Sequence, residues 1–308
     1  MTDRVDVSVV LPVFNERGHL AEEVDRIVAG LDASDLAWEI VIVDDASTDG
    51  SGTLLSDEVV PRLTAGGHDV HLIRNAVNRG SGGSRRIGTR AAQGELVVWT
   101  DVDMTYPNDQ IPELVAELHR TGVDQVVGAR TSEQGTTKAL RVPAKWFIRR
   151  LAQYLADTPI PDLNSGFRVF RRDVAKPYLH LLPRGFSCVT TMTMTFLAND
   201  HAVGYVPIEY RLRAGESKFH PWHDTKRYLL QVVRMVLSYN PLRVFAPLGL
   251  LLLLIGVGKL GFDLATKDLR VTTNALLVLF AAFQVLAIGL LADLVVRVTS
   301  GRNDPDDA

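Results

Sequence analysis

Two carboxylates one residue apart, Asp101 and Asp103, follow directly on the apolar run Leu96-Val97-Val98-Trp99. An Asp-x-Asp that ends a β-strand offers two hard oxygen ligands, and the carboxyl ends of strands are where open α/β sheets place their ligands. The pairing suits Mg²⁺ or Mn²⁺ carrying a diphosphate, which makes nucleotide-sugar chemistry the leading reading. Alone, the motif is equally compatible with a solvated turn carrying two acids, so its surroundings decide.

Short β-branched runs recur with roughly one helix between them: Val7 to Leu11, Glu39 to Val43, Val70 to Ile73, and Leu96 to Trp99. Bounded by polar and Gly-rich loops, they predict an α/β fold with a mainly parallel sheet covered on both faces. Parallel strands share a carboxyl edge. On that edge Pro12-Val13-Phe14-Asn15-Glu16, Asp44-Asp45-Ala46-Ser47-Thr48-Asp49-Gly50, Asn78-Arg79-Gly80-Ser81-Gly82-Gly83-Ser84 and the Asp-x-Asp converge. Asp44, Asp45, Asp101 and Asp103 packed together would repel one another unless a cation or ligand donors sat among them. Gly80, Gly82 and Gly83 would let a ligand approach the backbone, and a helix beginning near Ser84 would aim its amino-terminal dipole at anionic groups. The same loop also reads as a plain strand-to-helix turn. It is neither a Walker loop, since no Gly-Lys-Ser/Thr follows, nor a dinucleotide fingerprint, since it trails the third strand.

Taken in order, these motifs resemble the family 2 glycosyltransferases with the GT-A (Rossmann-like) fold. Farther on, Asp162-Leu163-Asn164-Ser165-Gly166-Phe167-Arg168-Val169-Phe170-Arg171-Arg172 and Tyr210-Arg211-Leu212-Arg213-Ala214-Gly215-Glu216-Ser217-Lys218 are similar to the branch containing dolichyl-phosphate mannosyltransferase and related polyprenyl-phosphate glycosyltransferases. The resemblance runs from residue 5 to about residue 245. It implies an inverting, metal-dependent hexosyltransferase that moves one sugar from a UDP- or GDP-linked donor to polyprenyl or dolichyl phosphate. By resemblance Asp101 and Asp103 bind metal and donor, with Asp103 favoured as the direct ligand, while Pro12, Asn15, Glu16, Asp44 and Asp45 line the nucleotide pocket beside Gly80 and Gly82. Relatives use positions matching Arg130, Ser165 and Arg168 around the lipid phosphate or the sugar. Arg213, Ser217 and Lys218 fall on a loop rich in small and basic residues, which is expected to clamp the diphosphate. The acceptor phosphate is an oxyanion near neutral pH, so no strong general base is required. Ala46 stands where relatives carry Gly, Val102 where they carry Ala, and Pro159-Ile160-Pro161 where some mannosyltransferases carry an Arg; the sugar and the base therefore stay open.

The rest of the 308-residue chain is apolar. Val271 to Ala292 carry no charge, enough to cross a hydrocarbon core as a helix; Val244 to Gly258 are also uncharged, and a crossing from Leu242 to Leu264 follows if Lys259 snorkels. The expected organisation is a GT-A domain over 1–214, an acceptor loop and juxtamembrane amphipathic helix over 215–241, membrane helices over 242–264 and 271–293, and a polar tail over 294–308. A buried helical hairpin of a soluble protein is the alternative. Lys226, Arg227, Arg234 and Arg243 before the first crossing and Arg297 and Arg302 after the second outweigh Lys267 and Arg270 between them, where Asp263 and Asp268 also lie. The positive-inside rule then puts the catalytic domain in the cytosol, at the cell membrane or, in a eukaryote, the ER membrane. The single cysteine, Cys188, leaves no intramolecular disulfide. The histidines form no zinc pattern, and a net charge of −3 gives no nucleic-acid footprint. Rival readings are a transferase extending a glycolipid or polysaccharide, a nucleotidyltransferase, and an inactive membrane scaffold. Oligomeric state is not legible.

Overall fold

The computed structural model describes residues 5–131, 159–185, 187–211, 237, 240–266 and 271–300. The apolar runs form seven strands: β1 (Val7–Val13), β2 (Trp38–Asp44), β3 (Asp69–Arg74), β4 (Leu96–Trp99), β5 (Gln125–Arg130), β6 (Arg168–Arg171) and β7 (Val203–Ile208). They make one sheet in the order β3-β2-β1-β4-β6-β5-β7. β3, β2, β1 and β4 pair in parallel; β1, β2 and β4 are buried on both faces, as their β-branched apolar runs demand, while β3 is the more exposed edge. β6 runs antiparallel to both β4 and β5, and β7 runs parallel to β5.

Helices cover both faces. α1 (Leu20–Asp32) buries Leu20, Val24, Ile27, Val28 and Leu31, the stripe of an amphipathic helix. α2 (Ser51–Leu54) and α3 (Val60–Ala65) are joined by a π-helical turn, Leu55–Val59. α4 (Ser81–Ala91) is built largely of small residues, α5 (Ile111–Thr121) ends on Gly122 in the left-handed conformation, and α6 (Cys188–Ala198) is buried almost all round. Alternate residues of β4 divide the core. Leu96 and Val98 join the cluster under α1, α3 and α5, whereas Val97 and Trp99 join the cluster under α4 and α6.

The reversal of β6 creates the site. Because β6 runs backwards, its amino end lies at the edge where its parallel neighbours have their carboxyl ends. Arg168 pairs with both Trp99 and Val127. Residues just after β4 therefore meet residues just before β6.

The chain divides into compact units over 1–228 and 229–308. In the second, α7 (Leu242–Thr266) and α8 (Thr273–Ser300) form an antiparallel hairpin. Gly249 and Gly256 of α7 lie against Leu286 and Leu279, and Gly289 of α8 lies against Phe245; a methyl group at any of them would crowd its neighbour. Small residues thus let the two backbones approach. Leu242–Thr266 and Thr273–Val296 are long and apolar enough to cross a membrane, and only 11% and 17% of their apolar windows are buried. Their apolar surface thus faces outward, unlike that of a core hairpin in a soluble protein. Within α7, Asp263 is enclosed and accepts a hydrogen bond from the Thr272 hydroxyl, with Lys259 Nζ at 3.6 Å.

Candidate active site

At the β4–β6 junction the Asp-x-Asp meets the Ser-Gly-Phe-Arg turn. Asp101 Oδ1 accepts a hydrogen bond from Arg85 Nη2 at 2.6 Å. Arg85 comes from α4 and is only 2% exposed, whereas the Asp101 side chain is 33% exposed, so the buried cation backs a carboxylate that opens to the surface. Burial works against the Arg85 charge, but the adjacent Asp101 carboxylate more than restores it. Gly166 completes the junction. Its N–H donates to Tyr106 Oη at 2.8 Å, and a Cβ there would sit 2.9 Å from both Asp101 Oδ2 and Arg85 Nη2. Burial pushes the Tyr106 phenol well above its ordinary range, so it stays protonated. Gly166→Ala is therefore expected to displace Asp101: turnover should fall about a hundredfold, the cost of a misplacement near 1 Å, while the melting temperature moves only a few degrees. Unchanged turnover would show that the turn does not set Asp101.

The rest of the Asp-x-Asp loop is braced from beneath. Asp103 is 5% exposed and accepts from the Thr105 N–H at 3.2 Å and the Thr105 hydroxyl at 2.5 Å. Met104 holds φ at 64°, a left-handed conformation uncommon outside glycine. Buried Asn108 gathers the loop: its Nδ2 donates to Asp101 O at 3.0 Å and to Glu23 Oε1 at 2.5 Å, and its Oδ1 accepts from the Thr100 hydroxyl. Burial raises the pKa of Glu23 despite the Arg26 guanidinium 2.6 Å away, which also donates to Tyr106 O.

The loops after β1 and β2 are knitted together. The Asn15 N–H donates to Ser47 Oγ at 3.1 Å, and Asn15 Oδ1 accepts from the Thr48 N–H at 2.7 Å. The Glu16 N–H donates to Ser51 Oγ, and the Arg17 N–H to Asp49 Oδ2. Burial alone would raise the pKa of Asp49, but hydrogen bonds from Ser51 and from the Ser51 and Arg17 N–H groups bring it below the ordinary carboxylate range. Asn15 and Ala46 both adopt positive φ, 55° and 61°, so strained backbone gathers at this edge. Pro12, one residue before the end of β1, pairs with Val43.

Each of the four acids at this edge has a partner within the protein. Asp44 accepts from the Ser47 N–H and lies 3.5 Å from Arg74 Nε; Asp45 accepts from Asn75 Nδ2 and the Arg79 and Gly80 N–H groups at 2.7 to 2.8 Å. Asp45 thereby holds the Gly-rich loop. The glycines do permit a close backbone approach, but what approaches is this chain's own Pro183–Gly185 segment. Arg184 O accepts the Gly82 and Gly83 N–H groups at 2.9 and 3.3 Å, and a Cβ on Gly80 or Gly82 would strike the Arg184 or Pro183 carbonyl. The amino end of α4 is thus capped by protein.

The acceptor-side residues divide similarly. Arg130 grips Asp162 with two bonds, Nε to Oδ2 at 2.6 Å and Nη2 to Oδ1 at 3.0 Å. Burial disfavours both charges, yet the pair keeps Arg130 protonated and Asp162 below its ordinary range. Ser165 and Arg168 are fully enclosed. Arg168 donates to Ser165 O, to Val189 O at 2.8 Å and to Thr193 Oγ1 at 2.9 Å, and burial beside Arg85 lowers its pKa to about 10. Arg168 thus pins the turn to α6. Arg213, Ser217, Lys218 and the expected interfacial helix lie outside the described residues.

The sequence reading missed Arg85, Asn108, Tyr106 and Asp162. A signal for Arg85 existed: it lies among Gly82, Gly83, Gly88 and Thr89 on a helix that hugs the sheet, so a long cation there must be buried and needs a carboxylate.

A second group, Glu39, Asp69 and His71, brings ligand atoms within 4.8 Å of one another. It lies at the amino edge of β2 and β3, about 17 Å along the strand from Asp44. Buried Glu39 is already occupied, accepting from Ser8 Oγ at 2.5 Å and the Gln93 N–H at 2.6 Å. The oxygen-rich loop of Asp101 and Asp103, with no thiol or imidazole donor among those contacts, fits a hard divalent cation better.

A family model described as glycosyl transferase family 2 matches residues 8–179, and one described as GtrB C-terminal hairpin matches 240–298. The chain belongs to glycosyl transferase family 2. The first match spans the Asp-x-Asp, Arg85 and the Ser-Gly-Phe-Arg turn; the second spans α7 and α8. Similar relatives are the undecaprenyl-phosphate 4-deoxy-4-formamido-L-arabinose transferases of Sodalis glossinidius, 29% identical over 310 residues with 95% of this chain and 89% of the relative covered, and of Enterobacter sp., 29% identical over 309 residues with 95% and 88% covered. Among solved structures, glucosyl-3-phosphoglycerate synthase of Mycobacterium tuberculosis in complex with Mn²⁺, UDP and phosphoglyceric acid aligns with a TM-score of 0.53 at 21% identity, over 76% of this chain and 78% of that one. The TarS fragment of S. aureus in complex with UDP also gives 0.53, at 17% identity, over 77% and 66%. The fold is GT-A, and the enzyme is a glycosyltransferase.

Proposed function

We propose that this enzyme transfers a single sugar from a nucleotide donor to a polyprenyl phosphate at the cytosolic surface of a membrane. The observation that carries the reading is the junction of Asp101, Arg85 and Gly166 at the ligand edge of a GT-A sheet, in a chain that also holds a hairpin of membrane-crossing length. Relatives named for undecaprenyl phosphate support the acceptor, and the UDP bound in the similar solved structures favours a UDP-linked donor over a GDP-linked one. The basic flanks of the hairpin support a cytosolic catalytic domain. Asp101 and Asp103 would hold Mg²⁺ or Mn²⁺, which when bound neutralises the leaving diphosphate. The acceptor phosphate oxygen attacks the anomeric carbon from the face opposite the donor diphosphate; the new C–O bond forms as the nucleoside diphosphate departs, inverting the centre. Arg85 orients Asp101, and Arg213, Ser217 and Lys218 would supply cations to the donor and acceptor phosphates.

The test is nucleoside diphosphate release by the full chain in nanodiscs, with Mn²⁺ and a panel of UDP- and GDP-sugars, with and without undecaprenyl phosphate. The lipid is expected to accelerate release from one donor at least about tenfold. Release indifferent to the lipid would refute the acceptor class.

A further inference from the structure

Three loops of the site meet around one ring. Tyr210, two residues beyond β7, takes the Arg130 guanidinium over its face at 5.2 Å and meets the Tyr106 ring edge-on at 5.3 Å. Tyr106 in turn stacks on Phe167 at 5.8 Å and accepts the Gly166 N–H. On its other side Arg130 is fixed by the Asp162 fork, and Asp162 also accepts the Asn164 N–H at 2.9 Å. The backbone agrees, because the Arg211 N–H donates to Thr105 O at 2.9 Å and the Gly128 N–H to Phe167 O at 2.9 Å. The series Asp162, Arg130, Tyr210, Tyr106, Gly166 therefore runs from the end of β5 to Asp101 without a gap.

We propose that Tyr210 is a positioning residue for sugar transfer: clamped between Arg130 and Tyr106, its ring holds the Ser-Gly-Phe-Arg turn against the Asp-x-Asp loop and so fixes where Asp101 points. The ring does this because a cation over an aromatic face and an edge-to-face aromatic pair are both directional contacts, each weaker than an ion pair but satisfied in one geometry. Among the described residues β7 is an edge strand with a single neighbour, β5, and the residues just beyond it reach the centre of the site through this ring and the Arg211–Thr105 bond. The assignment gives Arg130 a part distinct from direct acceptor binding: it carries the charge that seats Tyr210.

The inference rests on the transfer reaction proposed above, and its test separates the two. In the full chain, Tyr210→Leu is expected to lower kcat about tenfold or more while KM for undecaprenyl phosphate stays within about threefold, because orientation and not acceptor binding is lost. Tyr210→Phe keeps the ring and should recover most of the activity. Arg130→Gln and Tyr210→Leu combined should lose little more than the worse single variant, since both cut one series. Amide hydrogen exchange is the parallel readout: Tyr210→Leu should speed exchange in the peptides covering 101–106 and 162–167 and leave β1 and β2 protected, with Tyr210→Phe close to wild type. Wild-type kcat in Tyr210→Leu, a loss in Tyr210→Phe equal to that in Tyr210→Leu, or multiplying losses in the double variant would each overturn the assignment. If the wild-type protein transfers no sugar, the proposed function fails, while exchange at 101–106 and 162–167 still decides whether Tyr210 couples the two loops. If Tyr210→Leu does not fold, Arg130→Lys, which keeps a cation but not the fork to Asp162, should show the same local rise in exchange, and normal protection there would overturn the series.

Discussion

Asp101→Asn is expected to cut turnover by about three orders of magnitude, some 4 kcal/mol of transition-state stabilisation, and to leave the melting temperature within a few degrees of wild type. The substitution is nearly isosteric. An Asn oxygen can still accept from Arg85 Nη2, and the side chain still fits beside Gly166, so the junction keeps its shape. What disappears is the negative charge that a divalent cation and a departing diphosphate require. Asp103→Asn should behave alike, because Asn can accept from Thr105 as Asp103 does. Steady-state kinetics and a thermal melt on the same preparation check both halves. Retained turnover in both variants would remove the Asp-x-Asp from the chemistry.

Arg85→Met should damage stability and activity together. Arg85 is enclosed, and its partner Asp101 is one-third exposed, so removing the cation leaves a half-desolvated carboxylate that water can partly rescue. The lower end of the range for breaking a buried pair, about 3 kcal/mol, is the appropriate figure. In a catalytic unit of this size it should lower the melting temperature by roughly 6–12 °C. Turnover should drop about a hundredfold or more, because Asp101 loses the hydrogen bond that orients it. Arg85→Lys should recover part of the stability and less of the activity, since an ammonium supplies the charge without the planar guanidinium that also lies over Trp99 at 5.7 Å. A wild-type melt for Arg85→Met would mean that the pair contributes nothing to the fold.

The parallel half of the sheet was legible because Val7 to Leu11, Glu39 to Val43 and Leu96 to Trp99 carry an apolar content that only two-sided burial explains. The Asp-x-Asp was legible because it directly follows such a run. Strand direction was not. Arg168 to Arg171 is too short to show a period, and nothing local to it says that it runs against β4, yet that reversal is what brings Gly166 to Asp101. Gly80 and Gly82 illustrate a different limit: a glycine announces that some backbone comes close, and the sequence invited a ligand where the fold places Pro183 and Arg184. Nor does the sequence show that Asp45 anchors the Gly-rich loop, because the Asn75 amide and the Arg79 and Gly80 N–H groups that it accepts come from far along the chain. Ala46, flagged only as a departure from Gly, proves to occupy a left-handed position where a glycine would be relaxed.

The most direct test of the account is the mass of the lipid product. Full-length protein in nanodiscs should be incubated with undecaprenyl phosphate, Mn²⁺ and the donor that supports release, with Asp101→Asn alongside. The account predicts undecaprenyl phosphate heavier by one sugar residue, still a monophosphate, and absent in the variant. A lipid diphosphate, a product bearing several sugars, or the same product from Asp101→Asn would contradict it.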